Sequence, residues 1–370
     1  MNWHRITRLG LVVGIISLLA AACGPSTATS SSSWATATSA SGNGGMTALI
    51  AAAKAEGQLN VIALPPNWAN YGAIISGFTA KYGIKITSAN PSGNSQDEVN
   101  AITAGTTRAP DVVDVGMAVA LANTSLFAPY QVATWNDILA SQKEPTGLWF
   151  QDYGGYMSIG YDSSKVPGGT ISSMQDLLAT SGLKGKVALN GDPTKANAAL
   201  NGVMMASLAN GGSLDAISKG VDFFHKLNQL KNFTPVQATD ATVKSGATPV
   251  VFDWDYLSAA HGVDVPTWKV LVPQNAILGG YYAQAISKTA PHPAAARLWE
   301  EYLYSDEGQN LWLKGLARPV RMAAMTTAGT IDTAAAGKLP TANGTPVFMS
   351  ATQATTANAY LNAHWAAAIG

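Results

Sequence analysis

The spacing of apolar positions changes repeatedly along the chain, and each change marks an element. Ala48 to Glu56 is rich in helix formers and stops at Gly57, after which Leu59 to Leu64 is a short apolar run that fits a strand and ends at two prolines. In "YGAIISGFTAKYG", Ile74, Ile75, Phe78 and Tyr82 fall at helical spacing before Gly83, and "IKITSA" then alternates as a strand does. The three pieces make a β-α-β unit. "SQDEVNAITAG" opens with Ser95 and Glu98 at capping-box spacing, and "APDVVDVG" supplies another short buried strand.

The same rhythm returns further on. "SSMQDLLATSG", "KANAALNGVMMASLANGG" and "SKGVDFFHKLNQLKN" read as helices, while "GKVALNGDP" and "TPVVFDWDY" read as strands. Two extended segments, "YGGYMSIGYDSSKVP" and "WKVLVPQNAILGGYYAQAIS", bracket this second series, as they must if the chain leaves one lobe, builds another and returns. Later, Leu298, Tyr302 and Leu303 share a helical face, and Ser305 is placed to cap the next helix. The pattern predicts an α/β protein of two lobes: residues 46–161 with 280–370 in the first, and 162–279 in the second. In such sheets, ligands collect at the carboxyl ends of the strands.

Composition narrows the function classes. The 370 residues are 47% hydrophobic and 12% charged, enough for substantial cores. Lys plus Arg and Asp plus Glu number 22 each with no basic stripe, so nucleic acid is not an expected partner. Arg5 and Arg8 precede the apolar run Leu9 to Ala22, which is short for a membrane span, so residues 1–22 read as a secretory signal. Its removal takes two basic residues and no acid, leaving 20 against 22 and a formal charge of −2. Cys23 is the only cysteine and cannot form an internal disulfide. "LLAAACG" resembles the lipobox of bacterial lipoproteins, with Ala20 where that pattern prefers Leu, which would make Cys23 the acylated residue. The alternative is cleavage near Ala22 that leaves a spare thiol. Residues 23–45, poor in apolar and charged residues, read as a disordered tether.

"AAKAEGQLNVIALP", "APDVVDVG", "MSIGYDSSKVP", "GKVALNGDP", "ISKTAPHPAAARLWEEYLYSDEGQ" and "ARPVR" resemble, in collinear order, the extracellular solute-binding proteins of bacterial ABC importers, in the branch that handles polyamines, thiamine and ferric iron. The resemblance implies a two-lobed type II periplasmic-binding-protein fold, each lobe a mixed sheet flanked by helices, closing on its ligand by hinge motion. It also implies an exported, monomeric protein, periplasmic or at the cell surface, held by its lipid to the outer face of the cytoplasmic membrane. Its partners would be a small solute and a membrane permease, with no cofactor.

In that family the strand end at "VVFDWDY" faces the cleft, and iron binders present two adjacent tyrosines there. Here Tyr256 stands alone, and Tyr281-Tyr282 belongs to the returning strand, which disfavours ferric iron. A carboxylate beside an aromatic face suits an organic cation such as a polyamine or thiamine-like compound. The expected ligand residues are Trp68 and Trp254 as faces, Asp255 or Asp253 as counter-charge, Asn67, Tyr71 and Tyr281 as directional partners, and Tyr256 beside them. Strand alternation leaves open which of Asp253 to Tyr256 face the cleft, and either acid can instead start the helix that follows. The competing solute is an anion, phosphonate-like, held by helix-head amides near Asn94 and Thr194.

An enzyme or an adhesion module fits less well. No GxSxG, HExxH, CxxC or P-loop pattern occurs, and the five histidines, His4, His225, His261, His292 and His364, lie far apart. Asp306 and Glu307 follow Ser305 as an acidic helix start would. An adhesion module would show repeats, which are absent by eye.

Overall fold

The computed structural model describes residues 34–370 apart from 107, 341 and 343; the signal run, Cys23 and the first part of the tether lie outside the described residues. Its strands are β1 (Gln58–Ile62), β2 (Lys85–Ala89), β3 (Val112–Gly116), β4 (Phe127–Ala128), β5 (Phe150–Asp162) and β6 (Val187–Leu189). They continue with β7 (Phe233–Gln237), β8 (Val250–Trp254), β9 (Trp268–Leu271), β10 (Leu278–Ser287), β11 (Arg318–Pro319) and β12 (Val347–Phe348). The fold is the expected one, α/β in two lobes.

In the first lobe β1 and β2 pair in parallel, Leu59 opposite Ile86, and β3 runs antiparallel to β10. The intervening helix, Tyr71–Tyr82, buries Ile74 and Phe78, with Phe78 packed edge-on against Trp299. Glycine stops work as the sequence predicts: Gly57 and Gly83 both adopt left-handed φ, 71° and 72°, where a side chain would be strained. Glu56 acts at a distance, its carboxylate accepting from the amides of Ala294 and Ala295 and so capping the buried helix Pro293–Leu303.

The first extended segment of the sequence is β5, whereas the second, Trp268 to Ser287, is broken into β9 and β10. Phe150 to Tyr156 of β5 pairs with β10, and from Met157 onward the same strand pairs with β8 and β9. One continuous strand thus serves both lobes. In the second lobe β8 lies parallel to β6, and β6 parallel to β7. Helices Asn197–Ala209 and Ser218–Gln229 cover that sheet, with Phe224 against Phe252.

Three local expectations give way to packing. The capping box of helix Ser95–Thr103 lies one residue earlier, on Asn94 and Asp97, which frees Glu98 to turn into the core. The tether does not extend to Gly45: Trp34 is fully buried, and Arg297 donates to the carbonyls of Ala35 and Ala37. The helix Ala351–Ile369, expected with the first lobe, also packs on the second. Trp365 meets Phe224 and Phe233 there, and His225 and Asn228 bond the carbonyls of Ala368 and Ile369.

Candidate functional site

A cavity of about 430 Å³ opens between the lobes at the carboxyl ends of their strands. The first lobe gives Ala63, Asn67 and Trp68 after β1, Pro91 to Asn94 after β2, Ser95 and Glu98 from the following helix, and Asp114 of β3. From the second come Asn190 after β6, Gln237 to Asp240 after β7, Asp253 of β8, His261 and Asp264, with Tyr282 from β10. The lobes meet where Gly116 faces Asn197; a Cβ on Gly116 would collide with the Asn197 side chain. The loop after β1 holds Ala63, Ala69 and Asn70 at φ of 55°, 44° and 68°, backbone strain that clusters beside the site.

The lining is acidic. Among the described residues it holds Glu98, Asp114, Asp240, Asp253 and Asp264, and no Lys or Arg. At the rim Asp240 approaches His261 at 3.3 Å and Asp264 pairs with Lys244 at 3.2 Å. Deeper in, Glu98, Asp114 and Asp253 are buried and have no cationic partner among the described residues. Burial pushes Asp253 up to about 7, against the hydrogen bonds from Asn190 Nδ2 and its neighbour's amide N–H, at 2.9 and 2.8 Å. Asp114 is raised by the same cause, opposed by bonds from Tyr71 and Tyr153. Glu98 is pushed well up by burial first and the Asp114 carboxyl second. Burial also holds the His261 imidazole below its ordinary range, so it adds little positive charge.

Of the residues expected from sequence, Asn67, Trp68, Asn94 and Asp253 line the cavity. Trp68 is fixed by its Nε1, which donates to the Tyr153 hydroxyl at 2.6 Å, and it meets Tyr282 edge-on. Asn94 faces the cavity, but its side chain caps its own helix through the amides of Gln96 and Asp97. The others lie elsewhere. Trp254 is fully buried on the opposite face of β8, against Gly280 and Tyr282, because alternation gives the cavity Asp253 instead. Asp255 begins the helix Asp255–Ala260, where its carboxylate pairs with Arg318 at 2.9 Å and accepts the Tyr156 amide. Tyr256 is buried beside Tyr153, and Tyr71 lies behind Asp114. Tyr281 packs on Phe348, leaving its neighbour Tyr282 to face the cavity. The Thr194 hydroxyl bonds Asp192 outside the lining. Glu98, Asp114 and Asn190 also line the cavity, and the sequence alone places none of them at the site. The one available signal was an acid inside the apolar strand "VVDVG".

A family model described as bacterial extracellular solute-binding protein matches residues 109–335. No curated protein matches the chain. Among solved structures, the periplasmic binding protein P5PA is similar at a TM-score of 0.66 and 18% identity, over 85% of this chain and 100% of that one. AfuA from Actinobacillus pleuropneumoniae, with fructose-6-phosphate bound, gives 0.64 and 17% over 84% and 98%. Iron-bound HitA from Pseudomonas aeruginosa gives 0.58 and 18% over 82% and 97%. Identities this low carry the fold and leave the ligand to the chemistry of the cavity.

Proposed function

The chain belongs to the bacterial extracellular solute-binding proteins, and from that premise we propose that it captures a small organic cation between its lobes and delivers it to an ABC-importer permease. The observation that carries this reading is the lining: five carboxyl groups, three of them buried without a cationic partner, and no Lys or Arg. Removing carboxylates from water is unfavourable, and a bound cation offsets that cost through charge-assisted hydrogen bonds. Trp68 and Tyr282 add aromatic surface on which an alkylammonium can rest.

One observation favours an anion. Helix Asn197–Ala209 has no side-chain cap, and Ala196, Asn197 and Ala198 line the cavity, so an uncapped helix N-terminus borders it. A phosphate there would share the space with Asp253 and Asp114, which makes this the weaker reading. Ferric iron gains little support, since Tyr282 is the only tyrosine among the described residues of the lining.

Calorimetry against alkylamines, quaternary ammonium compounds and sugar phosphates decides between them. Asp253→Asn is expected to weaken a bound cation by about tenfold or more, the effect of losing one charge-assisted contact. Tight binding of a phosphate, unchanged by that substitution, would refute the cation reading.

Export and anchoring complete the proposal. No helix among the described residues is long and apolar enough to cross a membrane, and the proposed attachment is a lipid on Cys23. Cys23→Ser is expected to move the protein from the membrane fraction to the soluble one. A variant that still partitions with membranes and migrates as the processed form would overturn the lipoprotein assignment.

A further inference from the structure

Asp114 treats its two carboxyl oxygens unequally. Oδ2 accepts from the hydroxyls of Tyr71 and Tyr153 at 2.8 and 2.9 Å, whereas Oδ1 is buried with no donor among the described residues. Of the ten buried side-chain atoms without a partner among the described residues, this is the one on a residue that lines the cavity, and an unpartnered acceptor there calls for a reason.

The surroundings prevent the protein from supplying that partner itself. The Tyr71 oxygen accepts from Gln284 Nε2 at 3.0 Å, and the same amide donates to Asp152 Oδ2 at 2.9 Å. The Tyr153 oxygen accepts from Trp68 Nε1. A tyrosine has one proton to donate, and in both residues it is committed to Oδ2. Neither hydroxyl can serve Oδ1 without abandoning that bond. From the other side Glu98 Oε2 accepts the Asp114 amide at 2.9 Å, fixing the backbone. The carboxyl is thus held in one orientation, with one acceptor left unpartnered on a residue that lines a cavity whose described lining has no Lys or Arg.

We infer that Asp114 Oδ1 is the anchor for a cationic N–H group of the solute, so that the site takes a protonated amine, amidine or guanidine and discriminates against quaternary ammonium compounds. This rests on the cation reading and sharpens it. A quaternary nitrogen carries the charge but no donor, and its methyl groups keep it out of hydrogen-bond distance. Bound, it would leave Oδ1 as it stands now, buried and unpartnered. Tyr71 and Tyr153 are positioning residues for this contact.

The test uses matched pairs of ligands on the unmodified protein: butylamine, putrescine and butylguanidine, each beside its fully N-methylated counterpart, with a sugar phosphate as the anionic probe. At least one N–H cation is expected to bind about tenfold or more tighter than its methylated partner. Asp114→Asn, whose amide oxygen can still accept from both tyrosines while its NH₂ turns to the cavity, is expected to abolish that preference. Equal affinity within every binding pair, or a preference that survives Asp114→Asn, would overturn the inference and leave the cation reading standing. Binding of the phosphate alone would end both. Because the matched pairs need no variant, the inference stays open to refutation even if Asp114→Asn does not fold.

Discussion

Affinity for the cationic solute is expected to rise by about tenfold or more between pH 6 and pH 8. Burial holds the Asp253 carboxyl up to about 7, and Asp114 is raised by the same cause. At pH 6 both are largely protonated, and a cation must displace those protons to bind. At pH 8 the Asp253 carboxylate is already ionised and that cost disappears. Calorimetry in buffers of different ionisation heat should therefore show proton release on binding near pH 6, fading toward pH 8. Proton uptake, with affinity falling as pH rises, would instead mark an anionic solute. The ligand-free protein should respond in the matching direction. A carboxyl whose folded-state pKa lies above its unfolded value contributes stability that is complete below about pH 4 and is lost as pH rises through about 7. The melting temperature of the empty protein should decline across that window, and saturating cation should restore it.

Arg318→Met is expected to destabilise the fold by about 3 kcal/mol or more at pH 8 while leaving the cavity lining intact. Asp255 is fully buried, and its carboxylate is served by Arg318 and by the Tyr156 amide. Arg318 in turn lies over the Tyr156 ring, 4.1 Å from guanidinium carbon to centroid, and bonds the Pro340 carbonyl. Burial raises the Asp255 pKa and Arg318 opposes it, so removing the arginine moves the carboxyl further up. The penalty should accordingly shrink at pH 5, where the acid can be neutral, and grow as pH rises. Denaturant titrations at the two pH values measure it. The companion variant Asp255→Asn should leave cation affinity within about twofold, since that carboxylate lies outside the lining. A large affinity loss there would return Asp255 to the ligand site.

The lobes were legible in the sequence because they follow from local signals. Helical spacing in "YGAIISGFTAKYG", the stops at Gly57 and Gly83 and the two extended segments correspond to elements in the structure, and Ser305 caps its helix through the Gly308 amide. The site was half legible. Asn67 and Trp68 follow β1 directly, so their place at a strand end could be read without tertiary information. The acids could not. Whether Asp253 or its neighbours face the cavity depends on how β8 seats between β5 and β6, a long-range matter that composition does not encode. Glu98 was read as half of a capping box that lies one residue earlier, and Asp114 as part of a buried strand, which it is. What sequence could not say is that its burial is beside a cavity. The helix Ala351–Ile369 misled for the same reason: its few apolar contacts name no partner until Phe224 and Phe233 are seen beneath Trp365.

That last contact orders events during synthesis. Every other member of the second lobe's aromatic cluster has been added to the chain once Phe252 is made, yet the cluster stays open on one side until Trp365 follows more than a hundred residues later. If the chain crosses the membrane unfolded, as the proposed signal at residues 1–22 would direct, a lobe sealed only by its late-made residues would postpone compaction until translocation is nearly done.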